Sequence, residues 1–158
     1  PAADDVSATV ALDSISDDDT IMVGGDVVAV RYRSSFTSRL IQASEEIQDY
    51  YTVIKNTLLS YKGVKARTSW NFESFNKGRI QCAKLNVKGS AFQVYLGLDT
   101  NEYSEDKYHF VYAGDKPKLD KVPMMMKVRS GRALKYTLEL IDEMMKQNRD
   151  ILKQLYQM

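Results

Sequence analysis

The sequence predicts an α+β domain: an antiparallel sheet built on a three-stranded meander, two helices packed on its apolar face, and an N-terminal hairpin. Three observations carry this reading. Residues 45–61, and a second segment from 131 onward, repeat apolar side chains at the helical period behind a serine. Between them, three runs alternate apolar and polar residues, as strands with one buried face do. The turns between those runs are short enough to force antiparallel neighbours. With 158 residues, 44% apolar and 27% charged, the chain is of globular composition and long enough for one sizeable core.

Residues 1–20 read as an acidic leader or linker, and 21–158 as a single domain. Asp4, Asp5, Asp13, Asp17, Asp18, Asp19 and Asp26 precede any basic residue. Seven of the 21 acids and none of the 22 bases therefore fall before residue 31, and the rest of the chain carries a net of +8. The leader has little to bury, so disorder is expected there. Asp17-Asp18-Asp19 lacks the alternating ligands, mid-loop glycine and distal glutamate of a calcium loop.

Ile21-Met22-Val23 and Asp26-Val27-Val28-Ala29-Val30, joined by Gly24-Gly25, form the expected hairpin. Residues 31–42 are expected to be extended. Ser44 then caps the first helix, with Glu45 and Glu46 at its positive end and Ile47, Tyr50, Tyr51, Ile54, Leu58 and Tyr61 along one side. The first strand is expected to run from Val64 to Glu73. A two-residue turn at Lys77-Gly78 would pair Trp70 with Leu85, Phe72 with Ala83 and Thr68 with Val87. Gly89-Ser90, a type II′ sequence, pairs Val87 with Phe92, Leu85 with Val94 and Ala83 with Leu96. In this register Trp70 is the aromatic anchor of the core. Residues 99–121 are loop-rich, with a short strand at 108–112; Val122 to Val128 is a further strand, and Ser130 caps a long second helix.

Tyr61-Lys62-Gly63-Val64, Phe75-Asn76-Lys77-Gly78-Arg79 and Val94-Tyr95-Leu96-Gly97-Leu98 lie in a helix–meander–strand–helix order from about Tyr50 to Met145. This stretch resembles the small YdhG-like group of bacterial domains. The resemblance implies a fold and supplies no catalytic motif.

One cysteine, Cys82, excludes an internal disulfide and a four-cysteine zinc site, and one histidine, His109, excludes a His–His metal pair. Phosphate-loop, dinucleotide and nucleophile-elbow motifs are absent. No apolar run approaches a membrane span, and no metal or cofactor is expected. The feature that stands out is the polar face of the meander. Between Lys62 and Lys88 there are seven bases and one acid, Glu73. The register that buries Trp70 displays Arg67, Asn71, Lys84, Asn86, Lys88, Gln93 and Tyr95 on the opposite side, which is expected to be open to solvent. The expectation is a non-catalytic, cytoplasmic binding module of a larger bacterial protein. It would engage an acidic protein segment, or alternatively nucleic acid, through this face. An enzyme would have to draw on Glu73, His109 or Tyr95. Cys82, expected opposite Glu73, is poorly placed to become a thiolate.

Because the leader has little apolar surface, a chain beginning at Thr20 should keep the melting temperature of the full chain within a few degrees. A large drop in thermal melts would mean that the leader is part of the packed structure.

Overall fold

The computed structural model describes residues 20–23, 26–31 and 34–156, with side chains for 34–154. The leader and the Gly24-Gly25 turn lie outside the described residues. Strands β1 (Thr20–Val23) and β2 (Asp26–Arg31) pair as a separate antiparallel hairpin, with Thr20 opposite Arg31 and Val23 opposite Asp26.

Residues 36–42 are helical, not extended. Helix α1 (Phe36–Gln42) is capped by Ser35, whose hydroxyl accepts from Ser38 N at 3.1 Å. A helix of this length is marginal alone, and tertiary contacts fix it: Phe36 is buried and its N–H donates to Trp70 O at 2.7 Å. Helix α2 (Glu45–Leu59) follows, with Ser44 accepting from Ile47 N and Glu45 and Glu46 in its first turn. Gly63, at φ 84°, turns the chain into the sheet in a conformation that favours glycine.

The expected first strand is two strands. Strands β3 (Val64–Thr68) and β4 (Glu73–Lys77) are joined by a tight connection in which Ser69 N donates to Phe72 O at 2.8 Å. Then come β5 (Ile80–Lys88), β6 (Ala91–Leu96), the short helix α3 (Glu105–Tyr108), β7 (Val111–Tyr112), β8 (Met124–Val128) and the long helix α4 (Gly131–Tyr156). These strands form one six-stranded antiparallel sheet in the order β3-β4-β5-β6-β8-β7. The β5–β6 register has Val87 opposite Phe92, Leu85 opposite Val94 and Ala83 opposite Leu96, the pairs implied by the Gly89-Ser90 turn. The β4–β5 register differs from expectation. Glu73 pairs with Leu85 and Phe75 with Ala83, because the turn lies at Gly78-Arg79 and a bulge separates Phe75 from Asn76. Trp70 therefore pairs with nothing in β5; it is only half-buried, and its indole nitrogen is buried without a partner.

The main core lies between one face of the sheet and the helices. Ile47, Ile54 and Leu58 of α2 and Leu140, Ile141, Met144 and Met145 of α4 meet Phe75, Leu85, Phe92, Val94 and Met126. Along α4 the burial ends before the last turns: Leu140 is fully buried, whereas Ile151 is 48% exposed. The opposite face is not simply solvated. Tyr95 and Met125 are buried there under Leu119 and Val122, with Phe72 and Ala113 packed alongside. All six residues of β6 are buried, as are Met124, Met125 and Met126 of β8. Gly97, just past β6, leaves room for three backbone carbonyls; a Cβ there would lie 3.0 Å from Gln81 O. The edge strands are exposed: β3 is covered only at Val64 and carries Lys65 and Arg67, and β7 is two residues long. None of the described helices is long and apolar enough to cross a membrane.

Two polar joints hold this packing. Strand β4 begins only at Glu73, so the edge of β5 that faces it has no ladder partner beyond Leu85. Arg39 of α1 takes that place: Nε donates to Val87 O at 2.7 Å, and Nη2 donates to Asn86 Oδ1 at 2.8 Å and to Asn71 O at 3.2 Å. Its Nη1 donates to Ser34 O. On the helix side, the Glu73 carboxylate, 3% exposed, accepts from Tyr51 Oη at 2.6 Å and Lys55 Nζ at 2.9 Å, with Thr68 Oγ1 at 3.4 Å. A buried charge is tolerable only when so surrounded. The Glu73 carboxylate, and then the Tyr51 hydroxyl, hold the Lys55 ammonium above its usual pKa. Burial, and then Glu73, also raise Tyr51.

Phe75, not Trp70, anchors the β4 side of the core. Phe75→Ala should cost about 3–5 kcal/mol in denaturant melts, and Trp70→Ala clearly less. For the second joint, Lys55 has a folded pKa above its unfolded value near 10.4, so its contribution is complete below that pH and lost as pH rises through the folded value. Lys55→Met should lower neutral stability by about 1–3 kcal/mol and flatten part of the alkaline decline in urea melts. The rest of that decline, with the same sign, is shared among Tyr51, Tyr61, Cys82, Tyr95 and Tyr103, all held above their usual pKa. An unchanged alkaline limb would show the ion pair to be energetically idle.

Candidate functional site

Pairing across the sheet sets which side chains share the outer face. One row runs Arg67, Ser74, Lys84, Tyr95, Met125 and Val111; a second runs Asn86, Gln93 and Lys127; Lys88 lies opposite Ala91. Segment 113–122 and the 69–72 connection close over part of this surface and leave a groove of about 630 Å³. That volume is typical of a ligand pocket. Asn71, Asn86, Lys88, Gln93 and Tyr95, five of the seven residues expected from sequence, line it together with Phe72, Tyr112, Lys116 and Lys118. Among the described residues, three lysines line the groove and no carboxylate does.

The expected open polar face is thus corrected to a partly roofed one. Asn86 and Gln93 are each 8% exposed and Tyr95 is 7% exposed. The Gln93 carbonyl accepts from Tyr95 Oη at 2.9 Å, and the Asn86 carbonyl accepts from Arg39. With its oxygen so engaged, each amide has its NH2 group as the one left to donate to a ligand. Asn71 lies in the 69–72 connection, off the strands; its Oδ1 is buried with no hydrogen-bond partner. Burial raises the Tyr95 pKa, so its hydroxyl stays a neutral donor to Gln93.

Lys84 has a different role from the one expected. Its Nζ donates to Lys118 O at 2.7 Å and stands 5.3 Å from the centre of the Phe72 ring. Partial burial, and then the charge of Lys118, lower its pKa, with Asp120 opposing. It is a strut that ties the 113–122 segment and Phe72 to the sheet. Arg67 is exposed on the edge strand and does not line the groove.

Glu73, His109 and Tyr95 are not brought together. Glu73 points to the helix side of the sheet and Tyr95 to the other side. His109 is exposed at the end of α3, at φ 58°. Cys82 is fully buried, pairs with no β4 residue because of the bulge, and accepts from Asn148 Nδ2 at 3.5 Å. Burial pushes its thiol pKa up, away from the reactive thiolate. Among the described residues no cluster of His, Cys, Asp and Glu is placed to hold a metal ion.

Sequence reasoning missed Lys116, Lys118, Phe72 and the roof formed by Leu119 and Val122. The signal that could have found the roof is Met124-Met125-Met126. Successive strand side chains point to opposite faces, so three apolar residues in a row require cover on both. No family model, curated protein or solved structure matches the chain.

Proposed function

We propose that the domain is a non-catalytic binding module that receives an acidic protein segment in the groove on the outer face of its sheet. The observation that carries this is the lining: Lys88, Lys116 and Lys118 around a floor of two buried amides and Tyr95, with no carboxylate among the described residues. An extended peptide matches the floor as well as the charge. Its carbonyls accept from Asn86 and Gln93, and its acidic side chains face the lysines. Phe72, Leu119 and Met125 supply apolar contact. Nucleic acid is the weaker match. Single strands are held by stacking successive bases on several exposed aromatic faces; Tyr95 is buried under the roof, which leaves Tyr112 as the well-exposed aromatic among the described lining residues. The bacterial setting suggested by the YdhG-like resemblance belongs to the same proposal.

The test is a titration of a labelled oligoglutamate peptide and of mixed single-stranded DNA, at low and high salt, with the wild type and K88E/K116E. Both lysines are exposed, and exposed ionic contacts contribute about 0–1 kcal/mol each, so the variant should stay folded, which its thermal melt checks. Peptide affinity at low salt should fall by at least about tenfold, or roughly 1.4 kcal/mol. Unchanged peptide binding would remove the groove from consideration. Tighter binding of DNA than of peptide, with a steep salt slope, would replace the peptide by a nucleic acid.

A further inference from the structure

The groove and the acidic leader belong to one chain, and the hairpin ties them together. Ser34 is where the described body of the domain begins, and Arg39 joins it directly to the groove: the same guanidinium bonds Ser34 O, Asn71 O and Asn86 Oδ1. Asn71 and Asn86 both line the groove. Upstream, β1 and β2 pair so that Thr20 lies opposite Arg31. Paired residues in a ladder are about 5 Å apart, and the three residues from Arg31 to Ser34 span at most about 11 Å. Thr20 is therefore held within roughly 16 Å of Ser34. Asp17, Asp18 and Asp19 immediately precede Thr20, and no basic residue accompanies them anywhere in positions 1–30. The hairpin thus keeps Thr20, the residue that follows the most acidic stretch of the sequence, within roughly 16 Å of Ser34, whose carbonyl shares the Arg39 guanidinium with two residues of the groove lining.

We infer that the segment around Asp17-Asp18-Asp19 occupies the lysine groove of its own chain as an internal ligand, which an acidic partner must displace. This rests on the reading of the groove as a receptor for acidic segments. Three aspartates face Lys88, Lys116 and Lys118, and their backbone presents acceptors to Asn86 and Gln93. The short tether gives a local concentration in the millimolar range, enough to fill a weak site. Exposed charge pairs add little to stability, so the occupancy governs binding and leaves the melting temperature almost untouched.

The experiment uses the full chain, the variant D17N/D18N/D19N, and both with K88E/K116E added. Fluorescent hexaglutamate is titrated at low salt and followed by anisotropy. If the internal segment fills the groove about nine-tenths of the time, the neutralised variant binds the probe about tenfold more tightly than the full chain. That difference disappears in the K88E/K116E background. Without any probe, the side-chain amide NMR signals of Asn86 and Gln93 should shift between the full chain and the neutralised variant. Equal affinity of both chains for a probe that binds at the lysines, with unmoved amide signals, overturns the internal ligand and leaves the groove as a receptor. Failure of the neutralised variant to bind hexaglutamate at all overturns the receptor reading, and the internal ligand with it.

Discussion

The guanidinium of Arg39 is the joint on which the arrangement turns. Strand β4 begins only opposite Leu85, and an unpaired edge of β5 under a helix would leave backbone acceptors buried without donors. A planar group with several fixed donors can serve a strand carbonyl, a side-chain amide and two loop carbonyls from one position. It thereby seats α1, whose Phe36 enters the helix-side core, and it sets the orientation of Asn86 on the other face. The same contact secures the 69–72 connection, so Asn71 and Phe72 stand at the groove wall. One side chain therefore joins the main core to the candidate site.

The second constraint is that the central strands are covered on both sides. β6 has no exposed residue, although half of its positions face away from the main helices. The outer cover is thin, made of Leu119, Val122 and Phe72, and it is held down by Lys84 through Lys118 O and the Phe72 ring. The division of labour among the basic residues follows. A lysine that has given its donor to a carbonyl and its charge to a ring is part of the frame; Lys116 and Lys118, exposed at the groove, carry the field toward a ligand.

Local chemistry made much of this legible. Ser44 with its glutamates announces α2, Gly89-Ser90 sets the β5–β6 register, and Ser130 starts α4. Where the deciding contact lies far along the chain, reading failed. Helix α1 depends on the Arg39 contacts with residues 32 to 48 positions away. The β3–β4 connection contains neither glycine nor proline, so the alternation of Trp70 and Phe72 looked like continuing strand. The bulge after Phe75 then displaced every expected pair of β4. The candidate face was recognised by its polar residues, and five of them do line one groove. Their burial was not recognised, because the roof comes from a loop whose apolar residues, Leu119 and Val122, have no periodicity of their own.

The two ends of the sheet are finished differently. An open strand edge is a template for pairing with any passing extended chain, including another copy of the same protein. At one end, β3 meets solvent with Lys65 and Arg67, so two such edges brought together would set like charges against each other. At the other end, β7 is only two residues long, Val111 and Tyr112, and offers too little ladder to hold a stranger. One end resists fibrous growth by repulsion and the other by brevity. The groove lies on the face of the sheet and reaches the short edge strand through Val111 and Tyr112, so a segment lodged in it would pack on side chains and add no strand to the ladder.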